Sequence, residues 1–142
     1  MLAHQHSEDF YITSEQTALL IGDVMRLLGL THWACNRAEA DVAKSMENAI
    51  CFGVFDHDEL VGFARVISDK TTFAYICDVV IDPQYRGKQL GHWLIKSILN
   101  NTELSCVPQW RLKTTFAHSF YKTLGFEELK HPHKHLELCG DY

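Results

Sequence analysis

From residue 84 to residue 91 the chain reads Gln-Tyr-Arg-Gly-Lys-Gln-Leu-Gly, which brings two glycines, Gly87 and Gly91, together with two cations, Arg86 and Lys88. An apolar run, Tyr75 to Ile81, closes on Asp82-Pro83 just before it. Leu90, Trp93, Leu94, Ile95, Ile98 and Leu99 follow at helical spacing, so a helix is expected to begin close to Gly87. First-turn N–H groups have no intrahelical acceptor and the helix dipole is positive there. Glycine lets an anion approach the backbone, and Arg86 and Lys88 add charge. An anion, most simply a phosphate, is therefore expected at this turn. A plain left-handed turn with solvated basic side chains has the same composition, and isolated glycine motifs recur by chance. Neither Gly-Lys-Ser/Thr nor Gly-x-Gly-x-x-Gly is present.

Three other places hold groups that could do chemistry. Asp78 interrupts the apolar run Ile76–Ile81, where a charge is costly unless paired. It reads either as a proton acceptor or orienting charge, or as the partner of a structural group such as Arg65. His118 lies one helical turn before Tyr121, so the two side chains can share a face; it suits a base or relay, or equally a capping or partly buried histidine. The run His131-Pro-His-Lys-His135 fits no standard zinc spacing and reads as a solvated loop, so no metal is expected.

The elements that position these groups follow from local patterning. Phe10-Tyr11-Ile12 is strand-like. Thr13-x-x-Gln16 and Asn36-x-x-Glu39 are capping-box patterns ahead of two amphipathic helices, the first stopping near Gly29. Ile50–Phe55 and Leu60–Ile67 flank Asp56-His57-Asp58-Glu59 as a hairpin with a slightly long loop, and Thr71–Ile81 is a third strand. After the helix of residues 90–99, Trp110–Thr114 alternates as a strand. Ala117–Leu124 forms a short helix ended by Gly125, and Phe126–Leu129 and His135–Leu138 are expected as closing strands. The order predicts a mixed α/β fold, largely antiparallel in its first half, with at least one strand–helix–strand crossover.

A chain of 142 residues suits one domain, spanning 1–142. The net charge of −5 disfavours a nucleic-acid binder. No apolar run reaches the length of a membrane span and the N-terminus lacks a secretory pattern, so no membrane association and a cytoplasmic location are expected. The five cysteines, Cys35, Cys51, Cys77, Cys106 and Cys139, are scattered and suggest neither a disulfide framework nor a zinc knuckle.

Gln84-x-x-Gly87 with Gly91, after Cys77-Asp-Val-Val-Ile-Asp-Pro83, resembles the acetyl-CoA signature of the GNAT superfamily of N-acetyltransferases. Ala117-His-Ser-Phe-Tyr-Lys-Thr-Leu-Gly-Phe126 is similar to that family's second hallmark, and the order of elements agrees over essentially the whole length. Trp33-Ala34, Gly62-Phe-Ala-Arg-Val66 and Leu90-Gly-x-Trp-Leu94 resemble a small bacterial subgroup with mostly unassigned acceptors.

The resemblance implies a central, mostly antiparallel twisted sheet flanked by about four helices. It implies acetyl-CoA as acyl donor and an amine as acceptor. Backbone N–H groups of Val79, Val80 and Ile81 would face the thioester and pantetheine. Gln84, Arg86, Gly87, Lys88, Gln89, Leu90 and Gly91 would hold the pyrophosphate, and Tyr121 would be the general acid. A phenol of pKa about 10 can donate to a thiolate whose conjugate acid lies near 8.5. In such folds the loop carrying Trp33 covers the acceptor site, and homodimers are common, although no exposed stripe here demands one.

Two positions depart from the family pattern. Gln89 stands where glycine or alanine is usual; a helical dihedral is available to it, and slightly weakened CoA binding is expected. Thr114 lies near a position where many members carry asparagine. The alternative reading is a CoA-binding module with the same fold and no turnover.

Overall fold

The computed structural model describes residues 4–6 and 9–140. The ends of the 1–142 unit expected from the sequence lie outside them. Six strands form one sheet in chain order: β1 (His4–His6), β2 (Phe10–Thr13), β3 (Ile50–Asp56), β4 (Glu59–Ser68), β5 (Ala74–Ile81) and β6 (Trp110–Leu112). Every neighbouring pair is antiparallel except β5 with β6. Helix α3 (Leu90–Leu99) lies on the crossover between those two parallel strands. Four helices flank the sheet, as expected: α1 (Ile21–Leu28), α2 (Glu39–Glu47), α3 and the short α4 (His118–Lys122).

Alternation along the strands divides the core between two faces. On one, Phe52, Val54, Val66 and Ile76 pack with Leu90, Leu94, Ile95 and Ile98 of α3 and with Tyr121 of α4. On the other, Cys51, Phe55, Leu60, Phe63 and Val80 pack with Val24, Leu27 and Leu28 of α1 and Val42 of α2. Covering both faces explains why β3 and β4 read as nearly continuous apolar runs.

Several local expectations are corrected. Thr13 remains in β2, and its hydroxyl accepts the Glu15 N–H at 3.1 Å, closing a turn in place of a helix cap. Helix α1 begins only at Ile21, after a 3-10 turn over Gln16–Ala18. Asn36 does not cap α2; Ala38 occupies that position. The hairpin loop is tight, not long, because Asp56 pairs with Glu59 and His57 takes a left-handed φ of 54°. Residues 71–73 are withdrawn from β5 because Asp69 Oδ1 accepts the N–H groups of Thr71, Thr72 and Phe73.

Strand β6 is shorter than predicted, ending at Leu112, and α4 ends at Lys122. The closing strands at Phe126–Leu129 and His135–Leu138 are not formed among the described residues. A 3-10 turn at Pro132–Lys134 separates the two segments, and Leu136 and Leu138 are 100% and 98% exposed. Alternation makes a strand only where a neighbour offers a ladder. The three-residue β6 offers little, and Lys113 meets this tail through an ion pair with Glu137 at 3.3 Å.

Candidate functional site

The site begins with a slip in strand alternation. Phe63 faces Val80 and Arg65 faces Cys77, so Asp78 and Val79 together stand opposite Ala64. Such two-against-one pairing is a β-bulge, and Asp78 absorbs it with φ 55°. Ala74 and Ile76 face α3 before the slip; Val79 and Ile81 face it after, while Val80 turns to the α1–α2 side.

The same strand loses its parallel neighbour. The β5–β6 ladder extends only from Ala74 to Ile76 on β5, opposite Trp110 to Leu112. Beyond it, the β5 edge from Cys77 to Ile81 has no described strand on the β6 side. An unpaired edge presents N–H and C=O groups to any extended ligand.

That edge leads into the glycine loop, which is held from below. Asp82 Oδ1 accepts the Gln84 N–H at 3.0 Å, and its Oδ2 meets Arg26 of α1 at 3.0 Å. The Gln84 N–H and then Arg26 hold the Asp82 carboxyl below its ordinary range. Tyr85 donates to Asp56 at 2.9 Å, which pushes its phenol up to about 12. It also packs edge-on against Phe10.

Above these anchors the loop is exposed. Gly87 has φ 81° and Gln89 has φ 60°, so two left-handed residues flank Lys88. They delay the start of α3 to Leu90, correcting both the expected start near Gly87 and the helical dihedral expected for Gln89. A β-carbon on Gly87 would meet nothing within 4 Å, so glycine is favoured there by backbone conformation and not by space.

The first α3 bond runs from Trp93 N–H to the Gln89 carbonyl. The N–H groups of Gly87, Lys88, Gln89, Leu90, Gly91 and His92 donate to no described group. With exposed Arg86 and Lys88 alongside, this concavity suits a polyanion. Of the residues expected to hold it, Leu90 has only its backbone to offer, its side chain being core, and the Gln84 N–H is already taken by Asp82.

Helix α4 joins the two motifs. A β-carbon on Gly91 would lie 3.6 Å from Phe120 Cζ and 3.7 Å from Ile81 Cγ1. The end of β5, the first turn of α3 and α4 thus meet at one place. Tyr121 is 8% exposed, set edge-on between Phe120 and Phe126, and burial raises its phenol pKa. Its hydroxyl has no hydrogen-bond partner among the described residues. His118, on the same helix, is exposed. Thr114 accepts the Ala117 N–H at 3.2 Å, tying the turn into α4.

Asp78 has the partner proposed for it and a second one. Arg65 Nε donates to its Oδ2 at 2.9 Å, and Arg37, from the α1–α2 loop, approaches the same oxygen at 2.8 Å. The Asp78 side chain is 4% exposed, and its Oδ1 accepts no hydrogen bond from the described residues. Trp33, in the loop with Arg37, is 51% exposed and edge-on to His32. Sequence reading missed Arg37, Asp82 and Tyr85. Asp82, before a proline at a strand end, carried a local signal for a cap; Arg37 carried none. Among the described residues no cluster of His, Cys, Asp or Glu is placed to hold a metal ion, and no helix is long and apolar enough to cross a membrane.

Residues 47–128 match the profile of the acetyltransferase (GNAT) domain. A crystal structure of a Xanthomonas campestris pv. campestris protein assigned to the GNAT family superposes with a TM-score of 0.87 at 32% identity, over 92% of this chain and 93% of that one. A Gibberella zeae protein described as a candidate acetyltransferase is 27% identical, over 84% of this chain and 81% of its own length. A Porphyra purpurea protein described as an uncharacterised N-acetyltransferase, ycf52, is 45% identical across 47% of this chain, which spans 39% of that relative.

Proposed function

Because the chain belongs to the GNAT acetyltransferase family, whose members use acetyl-CoA as co-substrate, we propose that it transfers an acetyl group from acetyl-CoA to a primary amine by direct attack. We take residues 1–142 as one catalytic unit. The observation that carries this reading is the unpaired β5 edge leading directly into the unpaired N–H groups of residues 87–92. A long thioester with a pyrophosphate at one end matches an extended edge that finishes at an anion cradle.

In this reading each group has one task. N–H groups along Val79–Ile81 hold the extended chain and stabilise the carbonyl oxygen as it gains charge. Gly87, Lys88, Gln89, Leu90 and Gly91 offer backbone donors to the pyrophosphate, while Arg86, Lys88 and the Gln84 side chain border it. The amine nitrogen bonds to the carbonyl carbon as the C–S bond breaks. Tyr121 gives its proton to the departing sulfur and regains one from solvent, burial having kept the phenol protonated until then. Asp78 Oδ1 accepts an N–H of the incoming amine and orients it. His118, exposed on the helix of Tyr121, passes the amine's surplus proton to water.

The test is calorimetric titration with acetyl-CoA and with ATP, then release of CoA thiol across a panel of amines. Binding of acetyl-CoA but not ATP, with thiol release, is expected. Binding without release from any amine favours the CoA-binding module with no turnover; no binding defeats both readings.

A further inference from the structure

On the α2 side of the sheet lies an open cavity of about 350 Å³, lined by Asp41, Lys44, Ser45 and Asn48 of α2 and by Arg65 and Ile67 of β4. That volume is at the small end of small-molecule sites and too little for a folded partner. Arg65 connects this cavity to the bulge, since it lines the one and donates to Asp78 at the other. Arg37 stands beside it on the same carboxylate oxygen.

The charges here do not cancel. Asp78 is shared by two guanidinium groups, and neither has another described acidic partner. Lys44 is exposed and forms no ion pair among the described residues. The one carboxylate among the lining residues is Asp41, and Asp78 adjoins the cavity through Arg65. Over the cavity and the adjoining bulge together, Arg37, Arg65 and Lys44 stand against Asp41 and Asp78, in a chain whose formal net charge is −5. Ser45 donates its hydroxyl to the Val42 carbonyl and Asn48 its amide to the Lys44 carbonyl, which leaves the Asn48 amide oxygen and the lone pairs of the Ser45 hydroxyl without a described donor.

We propose that the acceptor is a small amine carrying an anionic group, carboxylate or phosphate, bound in this cavity by Arg65 and Lys44 while its amine reaches Asp78 Oδ1. This rests on the acetyl-transfer reading and adds the substrate class. Recognition divides between two neighbouring charges: the surplus guanidinium charge takes the anion, and the free carboxylate oxygen takes the amine. Arg37 is then a positioning residue, holding the Trp33 loop against the bulge.

Two measurements test it. The first follows backbone amide resonances during titration with inorganic phosphate, with acetyl-CoA saturating so that the loop of residues 87–92 is filled. Saturable shifts over residues 44–48 and 65–67 are expected. Shifts confined to other surfaces, or none, overturn the proposal. The second compares kcat/KM for matched acceptors, an amino acid against its amide and an amino sugar against its phosphate. The anionic member of at least one pair is expected to be preferred about tenfold or more, the effect of one charge-assisted hydrogen bond. Lys44→Ala is expected to reduce that preference about tenfold and Lys44→Arg to retain most of it. Equal use of both members of each pair, or a preference that Lys44→Ala leaves untouched, overturns it. Should acetyl-CoA itself fail to bind, the acetyl-transfer reading fails, while phosphate shifts at residues 44–48 without it would still locate the anion.

Discussion

Gly91 and Phe120 lie within van der Waals reach: a β-carbon on the glycine would sit 3.6 Å from the ring's Cζ. Through that contact the first turn of α3 rests on α4, the helix that carries Tyr121. A methyl group fits at ordinary contact distance. Gly91→Ala is therefore expected to leave stability within about 1 kcal/mol of the parent, the difference in helix propensity. In the proposed reading the same methyl stands where the pyrophosphate approaches the backbone. Acetyl-CoA affinity is expected to fall about tenfold or more by calorimetry. Unchanged affinity would separate Gly91 from the cofactor site.

Gln89 holds φ 60° and ψ 24°, a conformation costing a side-chain-bearing residue about 1–2 kcal/mol. Gln89→Gly relieves this but loosens the unfolded chain, so denaturant unfolding is expected to show a gain of about 1 kcal/mol or less. It also clears a side chain from the cradle. A tighter acetyl-CoA Kd is expected, and an unchanged or weaker one would show that Gln89 does not weaken binding.

The Tyr121 hydroxyl has no described partner, so Tyr121→Phe is expected to leave the unfolding midpoint nearly unchanged. Loss of the proposed general acid is expected to lower kcat about a hundredfold or more, with KM for acetyl-CoA little altered. Undiminished turnover would exclude the phenol from proton transfer.

Asparagine tolerates left-handed backbone, so Asp78→Asn changes the charge and not the bulge. It leaves Arg65 and Arg37 without their carboxylate at a buried point. A loss of about 3 kcal/mol is expected, reduced by the exposure of Arg37. Arg37→Gln alone is expected to cost about 1 kcal/mol. A double-mutant cycle in urea reads the coupling, and simple additivity would show that Arg37 contributes nothing through Asp78.

Cys51 and Cys77 flank Arg65 across neighbouring strands, and burial pushes their thiols up to about 12 and about 11. At pH 8 iodoacetamide is expected to alkylate Cys35, Cys106 and Cys139, which are exposed or outside the sheet, and to spare these two, as mass spectrometry would show. Both groups are raised above an unfolded value of 9.0, so folding binds their protons more tightly. Their contribution to stability is full below pH 9 and is lost as pH rises towards 11–12. Equal alkylation of all five thiols in the native protein would contradict this burial.

The order of strands and helices, the amphipathic faces and the glycine turn were legible along the chain. Each depends on residues within a few positions of one another: the 3.6-residue apolar period of α3, the runs of β3 and β4, Gly87 beside two cations. The segment from Gln84 to Gly91 stood out for the same reason, whereas Tyr121 was singled out by the resemblance of Phe120-Tyr121 and Gly125-Phe126 to a family motif and not by periodicity. Tertiary structure alone decided the rest. Asp78 reads as an anomaly in a strand, and only the slip of β5 against β4 makes it a bulge facing Arg65. Arg37 reaches it from a loop whose sequence carries no sign of that partner. The tail at His135–Leu138 alternates like a strand but forms none, because a ladder needs an edge and β6 ends at Leu112. Gln89 is left-handed for a similar reason. The end of β5 is fixed by Asp82 and Arg26, and the start of α3 by its packing on the sheet. The residues between them take whatever dihedrals join the two. Periodicity is a local property and survives in the sequence; pairing, ion contacts and strained turns are set by elements that meet only after folding.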